Sequence, residues 1–362
     1  MKNKPRVRAT SLALVALTAI LSLLGLLFVF EASVAEAFST FGAQYHFLKQ
    51  HAIGLGLGTV LFIIGLLTPP KVWLQMAPMV ALGAVFLMIA VFLPGIGLEL
   101  NGAHRWIQLG PLTFQSVELY KFGLISYLAV WFAKHNPDEP PLLPFLTFLG
   151  FSAVLLLLQP DLGSLLVIIA ISFGMFFVAG GNLRQVGLLA AVGIPALLLL
   201  ILLSPYRRDR LLTFMNPESD PSGTGYHVRQ ITLALGRGGL LGQGIGNSQQ
   251  RFAYIPEAST DSIFAIIAEE LGFLGSSVIL LLFTAFSILA YKQIQNATDS
   301  AVRLLGFGIF LWITTQLLLN LAAVVALVPL TGITLPFFSY GRSAQVMILL
   351  ATGILVRIGK SA

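Results

Sequence analysis

The chain has 362 residues, of which 57% are hydrophobic and only 10% are charged, whereas soluble domains usually carry about a quarter charged residues. This composition excludes an ordinary soluble protein. The sequence contains no cysteine, which excludes disulfides, thiol nucleophiles and cysteine-bound metals. The net charge of +6 fits contact with anionic lipids, and it equally fits an excess of basic residues on one side of a membrane.

Apolar segments recur along the whole chain at lengths suited to crossing about 30 Å of hydrocarbon as helices. Their apolar character is continuous rather than alternating, which favours a helical bundle over a β-barrel. We therefore predict an all-α, polytopic membrane protein with about ten transmembrane helices in a single integral membrane domain over residues 1–362. The predicted segments are 11–30, 52–68, 74–93, 119–133, 142–158, 164–179, 186–203, 263–291, 304–327 and 346–358.

The first segment follows a basic N-terminus and precedes Ala35-Glu36-Ala37, a combination that resembles a secretory signal peptide. Its apolar stretch is longer than the roughly 7–15 residues of a signal peptide. We therefore predict a retained span.

Basic residues in the short loops predict the orientation. An even number of spans places both termini on one side, and most loop lysines and arginines fall on that side, including Lys71, Lys134 and Arg303. The opposite short loops hold only Lys49, Arg105 and Arg342. We therefore expect cytoplasmic termini and an outward-facing long loop over residues 205–262.

Two connections on the way to that loop have their own character. Residues 95–118 contain glycine turns and Trp106, which suits a membrane interface, and predict a re-entrant or surface-lying segment. The connection from Lys134 to Pro141 is polar and rich in proline, so no helix is expected to continue through it.

Ionisable residues at the ends of spans or inside them are functional candidates, because charge at membrane depth is costly. Glu118 and Lys121 are spaced i, i+3 at the start of the fourth span and can pair. That pair is either a salt bridge or a cation aimed at a phosphate. Asp161 lies in a Pro-Asp-x-Gly turn, which turn chemistry alone can explain. It would share the outer layer with Glu118.

The long loop is dominated by turn formers, apart from residues 228–235, whose spacing predicts a short amphipathic helix on the bilayer. Its glycine-rich stretch, Gly236 to Gly246, lacks the ending of a P-loop, although a backbone nest for pyrophosphate is conceivable.

Asp261 ends the loop, as either a helix cap or a functional carboxylate. Glu269 and Glu270 lie two turns further on, so at least one must face a polar interior. The five histidines show no metal-ligand spacing.

Several motifs together resemble the SEDS family (shape, elongation, division and sporulation; RodA/FtsW type), in order and over nearly the whole chain. They are Asn216-Pro to Gly225-Tyr226, the glycine-rich stretch, Tyr254-Ile-Pro-Glu-Ala-Ser-Thr-Asp261, Glu269-Glu-Leu-Gly272, Leu335-Pro-Phe-Phe-Ser-Tyr-Gly341, Arg105-Trp-Ile, Gln115-Ser-Val-Glu118 and Gln159-Pro-Asp-Leu-Gly163. The family pattern is broken in three places. Its usual His-Thr-Asp-Phe reads Ser259-Thr-Asp-Ser262, its Pro-Ser-Glu reads Ser116-Val-Glu118, and its Ser-Tyr-Gly-Gly-Ser reads Ser339-Tyr-Gly-Arg342-Ser.

The resemblance implies an inverting peptidoglycan glycosyltransferase that polymerises lipid II at the outer face of the bacterial cytoplasmic membrane, for cell elongation or division. It implies that Asp261 is the catalytic residue, and we predict that it is the general base. It further implies a class B penicillin-binding protein as partner and a supporting divalent cation, Mg²⁺ or Mn²⁺. We expect no organic cofactor and no nucleic acid. Predicted substrate-binding residues are Glu118, Lys121, Arg105, Asp161, Arg210 and Glu269.

Two other classes of protein fit a ten-span bundle. One is a flippase or transporter of lipid II, for which paired broken helices near the midplane are expected. The other is a non-catalytic scaffold for a transpeptidase. The ionisable residues concentrate instead in the outer layer, which favours the enzyme.

Overall fold

The computed structural model describes residues 4–100, 102–110, 112–135, 142–220, 223–250, 255 and 257–360. Parts of several predicted features therefore lie outside the described residues: 101 and 111 of the segment 95–118, 136–141 of the proline-rich connection, 221 and 222 of the motif from Asn216 to Tyr226, and 251–254 and 256 of the long loop before Asp261. The α-helices are α1 (Lys4–Phe41), α2 (His46–Leu67), α3 (Pro70–Ala90), α4 (Ser116–Ala133), α5 (Leu142–Leu158), α6 (Leu162–Val178), α7 (Leu183–Leu202), α8 (Pro205–Met215), α9 (Thr224–Gly238), α10 (Ile263–Gln295), α11 (Ser300–Val324) and α12 (Arg342–Lys360).

Each predicted apolar segment corresponds to one helix, namely α1 to α7 and α10 to α12. Six of these are long and apolar enough to cross a membrane, and α5 and α6 are shorter apolar helices. The all-α, multi-pass membrane architecture is thereby confirmed.

Helix α12 forms the centre of the bundle and is buried along nearly its whole length. It packs closely on α2, where glycines allow the two backbones to approach. A Cβ added at Gly353 would overlap the carbonyl oxygen of Phe62. In contrast, α2 and α3 expose large apolar side chains such as Leu57 and Leu82, which is typical of a surface that faces lipid.

Within residues 95–118, a small antiparallel sheet precedes α4. Its strands were not predicted, and the prediction of a re-entrant or surface-lying segment stays a prediction. The strands β1 (Gly97–Leu100), β2 (Ala103–Leu109) and β3 (Leu112–Gln115) pair in the order β1-β2-β3. Gly102 and Gly110 adopt positive φ angles of 72° and 62° at the two turns, a conformation that glycine reaches without strain. The turn signals were therefore correct, and the short segments between them pair as strands.

The long loop contains two helices. The predicted amphipathic segment lies within α9, where Ile231 and Ala234 are buried and the helix packs on α10. Helix α8 was not predicted, because its sequence is strongly charged. Proline at its first turn is compatible with a helix start.

Helix α10 is broken at Gly272, where φ is 67° and ψ is −170°. The glycine-rich stretch docks into the break and replaces the helical hydrogen bonds that are lost there. The new hydrogen bonds run in both directions between the stretch and the helix. The amides of Gln243 and Gly244 donate to the carbonyls of Glu269 and Glu270 (3.0 Å each). The amides of Phe273 and Leu274 donate to the carbonyls of Gly239 and Leu240 (2.9 and 3.1 Å). The amides of Gln243 and Gly244 are therefore already hydrogen-bonded to α10 and are not available to a pyrophosphate nest.

Polar contacts at the ends of the helices mark the two ends of the bundle. At one end, Lys71 of α3 lies 3.8 Å from Asp299, which caps α11. At the other end, Arg342 donates to Gln50 of α2 (2.8 Å) and to Thr113 of β3 (3.2 Å). Arg342, which departs from the family pattern, thus joins the sheet to α2 and α12. The amide of Tyr340 donates to the carbonyl of Ser259 (2.7 Å), which places the end of the long loop in this same layer.

Candidate active site

Asp261 lies in the turn that leads into α10, and its backbone is fixed from a neighbouring helix. The buried side chain of Asn320, on α11, donates from Nδ2 to the carbonyl oxygens of Asp261 (2.7 Å) and Ile333 (2.8 Å). Ser262 is the N-cap residue of α10 and makes no side-chain capping hydrogen bond, and the Thr260 hydroxyl donates to Glu257 (2.9 Å). The capping alternative for Asp261 therefore has no support among the contacts of the described residues.

The carboxyl of Asp261 has unusual electrostatics for a loop residue. Part of its surface is accessible, yet protein surrounds it closely enough that burial raises its pKa from 3.8 to about 7, and the charge of Glu257 acts in the same direction. The Ser262 hydroxyl, 3.3 Å from Oδ1, and the positive charge of Arg210 oppose this rise. A carboxyl with a pKa near neutrality can accept a proton and release it again at working pH.

A histidine of the long loop joins this group. His227, on α9, places Nε2 2.8 Å from the hydroxyl oxygen of Ser262. Burial lowers the pKa of His227 to about 4, and the charge of Arg210 also lowers it, so the imidazole is neutral at physiological pH. No spacing in the sequence singles out His227, although Ser262 is visible there as a departure from the family pattern.

Glu118 and Lys121 form the predicted pair on α4, with Nζ 2.8 Å from Oε1, and both side chains are buried. Lys121 also donates to Gln316 (3.1 Å), and its ammonium lies 5.0 Å from the ring centroid of Trp312. The ammonium is therefore held in one position by α4 and α11 together.

The pair lines a narrow polar pocket between α4, α6, α11 and the sheet. Arg105, on β2, donates to the carbonyls of Gln159 (3.2 Å) and Pro160. Asp161 caps α6 through the amide (3.0 Å) and hydroxyl (2.8 Å) of Ser164, which supports the local turn role for this carboxylate. The pocket thus contains four of the predicted site residues. Its lining is Arg105, Gln115, Glu118, Lys121, Asp161, Ser164, Val167, Gln316, Gly332, Ile333 and Thr334.

The two remaining predicted residues are placed differently. Arg210, on α8, donates to the carbonyl of Leu330 (3.3 Å) and acts on Asp261 through its charge. Glu269 accepts from the hydroxyl of Ser248 and from the amides of Gln249 (3.4 Å) and Gln250 (3.3 Å). The structure therefore uses Glu269 to hold the loop and does not bring it to the polar pocket.

Two buried amides of α11 were missed by the sequence analysis, and they connect the pocket to Asp261. Gln316 binds Lys121 and donates to Thr334 (2.9 Å). Asn320, one turn later, donates to the main-chain carbonyls of Asp261 and Ile333. Amide side chains inside an otherwise apolar span were the signal that could have identified them.

The donor set does not fit a cation held by the protein alone. Over the part of the chain that the structure describes, no group of three or more histidine and carboxylate side chains is close enough to hold a metal ion. The divalent cation therefore stays a prediction.

Comparison with known proteins gives consistent matches over the whole chain. The model of the family FTSW_RODA_SPOVE, described as "Cell cycle protein", matches residues 11–362. A probable peptidoglycan glycosyltransferase FtsW of Coxiella burnetii is 39% identical over 342 residues, with 92% of each chain covered. Stage V sporulation protein E of Bacillus subtilis is 35% identical over 356 residues, with 96% of each covered.

A solved structure has the same fold. It is described as "Structural coordination of polymerization and crosslinking by a peptidoglycan synthase complex", and one of its chains matches with a TM-score of 0.78 at 29% identity. The match covers 96% of this chain and 97% of that chain. The likeness therefore extends to the complete bundle.

Proposed function

This chain belongs to the FTSW_RODA_SPOVE family of cell cycle proteins, and we propose that it is a peptidoglycan glycosyltransferase that polymerises lipid II. The observation that carries this proposal is the Asp261 carboxyl, whose pKa burial raises to about 7. Its main-chain carbonyl accepts from Asn320 of α11, the helix whose Gln316 binds Lys121 in the polar pocket. A proton acceptor beside positive charge is what transfer from a pyrophosphate-linked sugar requires.

In the proposed reaction, the 4-hydroxyl oxygen of the acceptor sugar attacks the anomeric carbon of the lipid-linked sugar. The bond from that carbon to the pyrophosphate oxygen breaks, the centre inverts, and undecaprenyl pyrophosphate leaves with the bonding electron pair. Asp261 takes the hydroxyl proton. Pyrophosphate is a stable leaving group, so the step needs no general acid.

Two sources of positive charge would stabilise the departing pyrophosphate, and Arg210 is the one whose charge acts on Asp261. Lys121 and Arg105 belong to the polar pocket, whereas Arg210 approaches from α8 in the long loop. Hydrogen bonds to a charged group contribute about 1.5–3 kcal/mol each. Glu118 would keep the Lys121 ammonium in place.

The proposal includes a location and a partner. We place the chain in the bacterial cytoplasmic membrane, with both termini cytoplasmic and the Asp261 layer outside, on the distribution of basic loops. We propose a class B penicillin-binding protein as partner, because the matching solved structure is of a complex that coordinates polymerization and crosslinking.

The test is polymerisation of lipid II by the purified full-length chain with its partner in detergent. Asp261→Ala is expected to lose at least about a hundredfold in rate, the usual worth of a general base. Asp209→Asn, a change at an exposed carboxylate of α8, is the matched control and is expected to retain activity. A folded Asp261→Ala protein that polymerises at the wild-type rate would refute the base assignment. Because detergent offers no bilayer to cross, polymer formation also excludes a flippase or a scaffold as the whole function.

A further inference from the structure

Three polar groups form a chain of hydrogen bonds that ends on the proposed base. His227 Nε2 lies 2.8 Å from Ser262 Oγ, and Ser262 Oγ lies 3.3 Å from Asp261 Oδ1. Ser262 is fully buried and His227 nearly so. The groups come from α9 of the long loop and from the turn before α10, so they meet only when α9 is packed on α10.

The chemistry of these groups fixes the direction of the chain. An ionised carboxylate can only accept, so the Ser262 hydrogen must point to Asp261. The Ser262 oxygen is then free to accept, and a neutral imidazole protonated at Nε2 donates to it. In this tautomer both hydrogen bonds are satisfied at once.

We propose that Ser262 and His227 are positioning residues, which hold the Asp261 carboxylate in one orientation and favour its ionised form. Neither touches substrate in this role. The inference rests on the proposed function only in treating Asp261 as the base. The hydrogen-bond chain itself is independent of the substrate.

The departure from the family pattern then has a local explanation. The usual phenylalanine after the aspartate offers no hydrogen-bond donor, whereas Ser262 does, and His227 orients it. Among the residues that the structure describes, the other charged groups that act on Asp261 are Glu257 from the preceding turn and Arg210 from α8. Asn320, which faces it from α11, is uncharged.

The experiment measures the protonation of Asp261 directly. Full-length protein is treated with a carbodiimide, which reacts through the protonated carboxyl, and the modified Asp261 peptide is quantified by mass spectrometry across pH. Ser262→Ala removes a donor to the charged form, so the midpoint is expected to rise by about one pH unit, which corresponds to the strength of one such bond. The acid limb of the polymerisation rate should move equally.

Two further variants separate orientation from packing. His227→Gln keeps an N–H donor near the position of Nε2 and is expected to retain the wild-type midpoint. His227→Leu removes the donor and should raise the midpoint, but not when Ser262→Ala is already present, because the two act through one chain. Ser277→Ala is the matched control, since that hydroxyl donates only along α10, to the Phe273 carbonyl (2.7 Å).

The outcomes distinguish the two proposals. An unchanged labelling midpoint in Ser262→Ala, or the same shift in Ser277→Ala, overturns the positioning role. Failure of the wild-type protein to make polymer overturns the proposed function. The labelling result still decides the positioning role in that case, because it requires no substrate.

Discussion

The proposed base, Asp261, carries a cost in stability, and the sign of that cost follows from the direction in which its pKa is shifted. Its pKa is about 7 in the fold and 3.8 when unperturbed, so the fold favours the protonated form. The stability that Asp261 contributes through this preference is fully present below pH 3.8 and is lost as the pH rises through about 7. Above neutral pH the protein therefore carries an ionised carboxylate in a poorly solvated place, as catalytic sites often do.

Asp261→Asn is expected to relieve this cost, because the amide stays neutral at every pH. The melting temperature of the variant should exceed that of the wild type by roughly a few degrees at about pH 8.5. The difference should be clearly smaller at about pH 5 and should disappear below pH 3.8, the unperturbed pKa. Thermal unfolding of the purified protein in detergent measures both. An equal difference at the two pH values would show that the substitution acts through packing and not through ionisation.

At the scale of single elements, the sequence predicted what depends on continuous composition. All ten apolar segments became helices because each is a long and predominantly apolar run. Helix α8 was missed because its residues are charged, and its position depends on contacts such as that of Arg210 with the Leu330 carbonyl. The sheet was missed because strands as short as β1 and β3, four residues each, give almost no periodic signal. The docking of the glycine-rich stretch depends on the break in α10.

That docking makes a prediction for Gly272 and Gly242. A Cβ at Gly272 would overlap the Gly242 amide, and a Cβ at Gly242 would overlap the Glu270 carbonyl. Both glycines also have positive φ angles, 67° and 81°, which other residues rarely adopt. Gly272→Ala and Gly242→Ala are each expected to release the loop and to increase its cleavage in limited proteolysis several-fold.

The matched control for these substitutions is Gly56→Ala. Gly56 lies within α2, and an added Cβ would contact nothing within 4 Å, so this change should leave loop cleavage unaltered. Equal proteolysis of all three variants and the wild type would mean that the loop does not depend on the break in α10.

At the scale of the whole molecule, the site is assembled from distant parts of the chain. The sequence could nominate Glu118, Lys121 and Asp261, because charge at the end of an apolar span is informative on its own. It could not predict that Gln316 and Asn320 of α11 bind near these residues, since the sequence does not show which groups a buried amide side chain will contact. The same holds for His227 and Ser262, which are 35 residues apart. Burial and hydrogen bonding, rather than residue type, define these positions.

The arrangement of the two ends of the bundle leads to a prediction about its orientation. The Lys71–Asp299 contact marks one end, whereas Asp209 belongs to the long loop near Asp261 at the other. Because the chain has no cysteine, each position can be tested with a single introduced thiol. In Lys71→Cys and Asp209→Cys, the replaced side chains are 73% and 67% exposed, so both sites are open to a reagent.

A membrane-impermeant maleimide applied to intact spheroplasts should label Asp209→Cys and leave Lys71→Cys unlabelled. After the membrane is permeabilised, both should be labelled to a similar extent, which controls for reactivity. This result is expected because basic loop residues are retained on the cytoplasmic side, which places the proposed polymerisation on the outer side. Labelling of Lys71→Cys alone in intact cells would invert the orientation. The carboxylate of Asp261 would then face the cytoplasm, where it could not meet an acceptor glycan, and the proposed polymerase function would fail with it.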